Sequence, residues 1–209
     1  SEENMRRAIG MAEAVAPSIL WLAELEKGLS GTQSSGSTDG GTSARVFGSF
    51  ISWMQEKKSP VFVMATANDV SQLPPELMRK GRFDEIFFVD LPTYPERVDI
   101  FKIHVRKRST AGHARQISDE HARQLAEISD GFSGAEIEQA VVSAMFDAFY
   151  KREELTAAHI HRAVTETVPL ARTMKEKIAE LRLWCRSRAR PASSAYTETK
   201  VTGERKLEL

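Results

Sequence analysis

The chain has 209 residues, 41% hydrophobic and 28% charged, the make-up of a globular protein of one domain or two small ones with a sizeable core. Lysines plus arginines and aspartates plus glutamates balance at 29 each, which excludes a global field favouring nucleic acid or an anionic membrane. Cys185 is the single cysteine, which excludes an internal disulfide and a cysteine-based zinc cluster and suits a reducing compartment.

Met5, Ala8, Ile9, Ala12 and Val15 recur at helical spacing and predict a helix closed by Pro17. Ser18 to Ala23 is a nearly uninterrupted apolar run, expected to form a strand buried on both faces of a parallel sheet and ending at Glu24-Leu25-Glu26-Lys27. Gly28 to Ser43, rich in Gly, Ser and Thr, reads as a polar loop. Val46, Phe47, Phe50, Ile51 and Met54 mark one face of the next helix, which Ser59-Pro60 stops. Val61 to Thr66 is a second buried strand, with Asn68 and Asp69 just beyond its end. Ile86 to Val89 gives a third strand, and Pro95 opens a helix to about Arg106. Strands alternating with helices imply an α/β layer with parallel strands.

After about Ser109 the pattern is helical only, with helices predicted over Asp119 to Ile128, Gly134 to Lys151, Thr156 to Val168 and Met174 to about Arg188. Ser118 or Asp119 and Thr156 are expected N-caps, and Thr156-Ala157-Ala158-His159 lacks the Glu of a full capping box. From Pro191 the chain reads as a disordered tail. The N-terminus has no apolar signal-peptide core, and no stretch approaches the roughly 18 apolar residues that span a bilayer. Nothing matches the G-x-x-x-x-G-K-[ST] loop that cradles nucleotide phosphates, and the chain starts abruptly in a helical pattern; both raise the expectation of a missing upstream part.

Four segments then fall into one order. Ile19-Leu20-Trp21-Leu22-Ala23-Glu24 resembles a Walker B strand, Ala65-Thr66-Ala67-Asn68 resembles sensor 1, and Arg79-Lys80-Gly81-Arg82-Phe83-Asp84 resembles an arginine-finger motif. Gly131-Phe132-Ser133-Gly134-Ala135-Glu136-Ile137-Glu138 resembles the lid motif of the AAA family that includes FtsH and the proteasomal ATPases. More narrowly, Glu24 to Gly28, Lys80 to Phe88 and Phe132 to Gln139 resemble the AAA proteins encoded in cyanobacterial and plastid genomes and their bacterial relatives, over residues 1 to about 188.

The resemblance implies ATP and Mg2+ as cofactors of the complete module, and a role for each matched residue. Glu24 matches the catalytic Glu that polarises the attacking water, while Ala23 stands where the family expects a magnesium-holding Asp. Asn68 matches sensor 1, and Arg79 and Arg82 match arginines that reach a neighbouring subunit's site in a ring, expected to be a hexamer. Their three-residue spacing places both on one face if a helix ends there. Gly134 and Ala135 match the stretch that lines the adenine and ribose, and the Gly28 to Ser43 loop matches a second pore loop. The plainer alternatives stay open: a strand-end carboxylate, a turn-forming Asn-Asp pair, solvated arginines, an ordinary helix start and a surface linker. The histidines His104, His113, His121, His159 and His161 show no metal-ligand spacing, so no metal site is assigned to side chains.

The expected fold is an incomplete AAA+ P-loop NTPase core of α/β type followed by an all-α lid: residues 1–108, then 109–190, then a tail over 191–209. The family's sheet has strand order 5-1-4-3-2; this chain supplies strands 3, 4 and 5, and the missing strand 1 should leave ladder groups and apolar faces exposed. The expected function is the C-terminal part of an ATPase that remodels a protein substrate, inactive as this chain alone. The alternative is a non-catalytic AAA module acting as scaffold or regulator beside complete AAA subunits. Partners are expected to be a ring of copies and a protein substrate, with no membrane and nucleic acid disfavoured because Glu198, Glu204 and Glu208 dilute the tail's basic residues. The location implied is the cytoplasm, or the plastid stroma for a plastid-encoded chain.

Overall fold

The structure, a computed structural model, describes residues 2–27, 40–79, 81–108 and 117–193. The chain divides into two compact units, residues 1–86 and 87–209.

In the first unit, α1 (Glu2–Ala14) leads into β1 (Ser18–Leu22), then α2 (Gly40–Glu56) and β2 (Val61–Ala65). β1 and β2 pair in parallel, Ile19 opposite Phe62 and Trp21 opposite Met64. Helical spacing brings Met5 and Ile9 of α1 and Phe50 and Met54 of α2 onto Leu20, Leu22, Val63 and Ala65, with Leu25, Leu77 and Phe83 closing the cluster. The Trp53 indole N–H donates to Glu13 Oε1 at 3.0 Å, and Ser18 Oγ donates to the Ala12 carbonyl at 2.7 Å, tying the helices and the strand entry together.

That core covers one sheet face only. Ile19, Trp21, Phe62 and Met64 point the other way and are 68%, 64%, 66% and 45% exposed. The expectation of strands buried on both faces is therefore corrected: exposure alternates along each strand with the two-residue period, and the described residues supply cover for one face. The expected loop is also shorter, since Gly40 to Ser43 belong to α2; residues 28–39 lie outside the described residues.

The second unit runs β3 (Phe87–Phe88), α3 (Tyr94–Lys107), α4 (Asp119–Ile128), α5 (Gly134–Lys151), α6 (Ala157–Glu166), α7 (Leu170–Thr173), α8 (Lys175–Cys185) and β4 (Arg190–Pro191). Phe101 and Val105 of α3 meet Leu125 of α4, Ile137, Val141 and Ala144 of α5, and Ile160 and Val164 of α6 in one buried core. This packing corrects the boundary expected at residue 108, because α3 is built into the helical unit by its own apolar stripe. The third strand is shorter than expected and pairs in parallel with β4, which takes in Pro191, the first residue of the expected tail. The Ala192 N–H donates to the Phe88 carbonyl at 2.8 Å, and Ser193 Oγ bonds Glu96 Oε1 at 2.5 Å; residues 194–209 lie outside the described residues.

The helix starts explain the unit's precision. Ser133 and Glu136 form a reciprocal capping box at α5, and Thr93 and Glu96 form another at α3. At α6 the box that looked incomplete is filled by His159, whose Nδ1 accepts from the Thr156 N–H at 3.3 Å and faces Thr156 Oγ1 at 2.8 Å. Arg97, 6% exposed, donates to the carbonyls of Ala126 and Pro92 at 3.0 Å each and pairs with Asp130 at 3.2 Å. A buried guanidinium is tolerated because its donors are satisfied.

Candidate functional site

Ligands of parallel α/β sheets gather at the carboxyl ends of the strands. Here the segments after β1 and β2 are tied to each other there. The Thr66 N–H donates to the Leu22 carbonyl at 2.9 Å and the Leu25 N–H to the Thr66 carbonyl at 2.8 Å, continuing the ladder past both strands. Between these bonds Glu24 adopts φ +52°, a left-handed conformation that costs a side-chain-bearing residue roughly 1–2 kcal/mol. Its N–H donates to Thr66 Oγ1 at 3.1 Å, a bond that helps hold it there.

The turn aims the Glu24 carboxylate at Asn68, whose Nδ2 donates to Glu24 Oε1 at 3.3 Å. The structure thus brings together two of the residues singled out from the sequence, 44 positions apart. Lys27 pairs with Glu24 Oε2 at 2.8 Å, and the hydrogen bond to that carboxylate holds the Lys27 ammonium above the usual lysine range. A fixed carboxylate beside a fixed amide can orient a water molecule and draw on its proton.

Sequence reasoning missed Glu26 as a member of this group. It is 4% exposed, and its Oε1 accepts the Asn68 backbone N–H at 3.0 Å. Its Oε2 is buried without a hydrogen-bond partner among the described residues, an arrangement that costs roughly 1–3 kcal/mol or more for a charged group. No local pattern marked it: strand alternation would put Glu24 and Glu26 on one face, opposite the buried Leu25, and the left-handed turn at Glu24 is what breaks that alternation and lets Glu26 face inward.

A magnesium ion, which the resemblance implies, does not fit the residues present. Ala23 offers no oxygen, both Glu24 oxygens already have partners, and among the described residues no group of three or more His, Cys, Asp or Glu could hold a metal ion. Oxygen donors for such an ion have to come from beyond these residues.

The two arginines do not share a helical face as their spacing suggested. A 3-10 turn over Pro75–Met78 ends at Arg79, whose backbone is extended, and Gly81 has φ +89°, so the chain turns between Arg79 and Arg82. Arg79 is exposed; Arg82 is half-buried, with Nε buried and without a hydrogen-bond partner among the described residues. In the helical unit, Gly134 is the first residue of α5 and Ala135 is exposed beside it. A side chain at Gly134 would meet Ile100 Cδ1 at 3.9 Å, ordinary contact, so the neighbouring residues do not demand glycine there. Two concavities of this unit both include His159 and Arg162 in their lining, and neither of these two includes Gly134 or Ala135.

Residues 1–91 match the family described as "ATPase family associated with various cellular activities (AAA)". Over 194 residues the chain is 50% identical to the "Uncharacterized AAA domain-containing protein ycf46" of Pyropia yezoensis, covering 92% of this chain and 38% of that protein. The protein of the same name from Guillardia theta is 46% identical over 187 residues, 88% of this chain and 35% of its own length. The proteasome-activating nucleotidase of Archaeoglobus fulgidus is 30% identical over 168 residues, 78% of this chain and 40% of its own. The chain thus spans well under half the length of these curated relatives. Its fold is that of the FIGL-1 AAA domain, solved in complex with ADP, at TM-score 0.72 and 16% identity over 90% of this chain and 63% of that one. No helix among the described residues is long and apolar enough to cross a membrane. With extended sequence similarity added to the shared fold, the chain belongs to the AAA family, as an α/β core portion followed by a helical portion.

Proposed function

We propose that this chain is the part of an AAA ATPase that positions water for hydrolysis and reads the result, with Glu24 as the water-polarising carboxylate and Asn68 as its sensor. The observation that carries this reading is the Glu24–Asn68 hydrogen bond at the carboxyl ends of two adjacent parallel strands, built on a left-handed Glu24 that the fold holds against its own preference. Strain of this kind at a strand end is characteristic of sites where a side chain must be aimed. ATP and Mg2+ are the cofactors of the complete module, whose phosphate-binding loop and metal oxygens lie outside this chain. Arg79 and Arg82 act toward a neighbouring copy in a ring, a hexamer in this reading, and Gly134 and Ala135 border the nucleotide as part of a lid. The work done is remodelling of a protein substrate, in the cytoplasm or plastid stroma.

A second reading, a non-catalytic AAA module serving as scaffold or regulator in a mixed ring, is favoured by one observation, the methyl group of Ala23 where a magnesium-associated oxygen belongs. Steady-state ATP turnover of the full-length gene product and of its Glu24→Gln variant separates the two. The first reading expects turnover that falls about 100-fold or more in the variant while nucleotide binding persists. Turnover that is absent in the unsubstituted protein, or equal in both, gives the second reading the case.

A further inference from the structure

Among the described residues, Glu26 is the buried carboxylate, and Arg97 is the other buried charged side chain. Arg97 has an evident structural purpose, since it satisfies two carbonyls and an aspartate inside the helical unit. Among the described residues Glu26 accepts one hydrogen bond, from the Asn68 backbone N–H. Burying a carboxylate to hold a single amide is an expensive way to stabilise a loop, and a neutral residue would do it at lower cost.

What the bond fixes is more specific than the loop. The ladder bonds of Leu25 and Thr66 end before Asn68, and the Asn68 side chain reaches Glu24 through its own Nδ2. Two carboxylates on one short segment therefore grip the same residue, Glu26 by the backbone and Glu24 by the side chain. The first grip sets the origin from which the second is aimed. We infer that Glu26 is a positioning residue: by holding the Asn68 backbone amide it sets the Asn68 carboxamide against Glu24. This inference rests on the reading of Glu24 and Asn68 given above.

The test compares Glu26→Ala, which removes the acceptor, with Glu26→Gln, whose side-chain carbonyl keeps it, and has two readouts. The first, on the 209-residue chain, is site-resolved hydrogen exchange at the Asn68 amide. Exchange should rise about tenfold or more in Glu26→Ala and stay near the unsubstituted rate in Glu26→Gln. The second, on the full-length gene product, is the split of kcat from KM: kcat should fall about tenfold or more in Glu26→Ala with the nucleotide KM little changed, and Glu26→Gln should restore it. Should Glu26→Ala not fold, Glu26→Asp keeps the charge, shortens the arm by one methylene and takes its place in both comparisons.

An Asn68 amide that is equally protected in Glu26→Ala overturns the inference. So does a kcat unaffected by Glu26→Ala in a protein whose turnover Glu24→Gln abolishes. If Glu24→Gln has no effect, or there is no turnover to lose, the ATPase reading has failed on its own account. The exchange comparison, which needs no turnover, then decides whether Glu26 positions Asn68.

Discussion

The two units solve the same burial problem to different degrees. The helical unit closes ten buried residues into one core, nine from four helices and Phe132 from the loop before α5. The α/β unit packs two helices on one face of a two-stranded sheet and leaves Ile19, Trp21, Phe62 and Met64 exposed on the other. An apolar side chain gains about 25 cal/mol for each Å2 removed from water, so these four contribute little where they stand. The difference teaches that a core ringed by four helices closes without outside cover, whereas a sheet covered on one face does not; the helical unit's own exposed aromatics, Phe146, Phe149 and Tyr150, lie on the outer side of α5, away from that core.

The sharpest way to break that comparison is to truncate equal side chains in the two places. Phe101→Ala in the helical core should cost about 3–5 kcal/mol, whereas Phe62→Ala on the open sheet face should cost less than about 1 kcal/mol, both read by chemical denaturation of the chain. Comparable losses would mean that the sheet face is covered in solution. Next in size is Ser133→Ala at the start of α5, which removes the acceptor for the Glu136 N–H and should lower the stability of the helical unit by about 1 kcal/mol, with Ser133→Asp restoring most of it.

The smallest expected effect concerns pH. Burial pushes the Glu136 carboxyl up, but the N–H groups of Ser133 and Leu170 and the Ser133 hydroxyl outweigh it and hold it below its ordinary value of about 4.5. Its contribution to helical-unit stability is therefore fully present above about 4.5 and is lost as the pH falls through the lowered folded value. Glu136→Gln should flatten the stability profile on the acid side of 4.5, and an unchanged slope there would show that other carboxyls dominate.

Much of this architecture was legible in residue order because periodicity is local. The stripe of Met5 and Ile9, the run through Leu20 and Leu22 and the cap at Ser118 each announce an element within a few positions. The strand-end pair of Glu24 and Asn68 was also readable, since both terminate apolar runs of a recognisable kind. Other features depended on distant partners. Alternation of exposure along β1 follows from which helices lie over it, and an unbroken apolar run carries no mark of that. Arg79 and Arg82 looked like helix neighbours because spacing alone says nothing of the positive φ at Gly81. His159 replacing a glutamate in the capping box was hidden because imidazole Nδ1 is an acceptor only in one tautomer, a property that a residue pattern does not display.

The short β3–β4 pair has a mechanical consequence. The described part of the helical unit begins at the amino end of β3 and ends just past the carboxyl end of β4, and in a parallel pair these are opposite ends of the ladder. Tension applied along the backbone through Phe87 and Ser193 therefore drags the two strands past each other, loading their hydrogen bonds together in shear instead of peeling them one at a time. Arg182 clamps Asp90 with Nε and Nη2 at 2.8–3.1 Å, fastening α8 to the segment just after β3 against the same pull. The fold thus gives the four-helix core a buckle at the point where force carried by the polypeptide would pass through it.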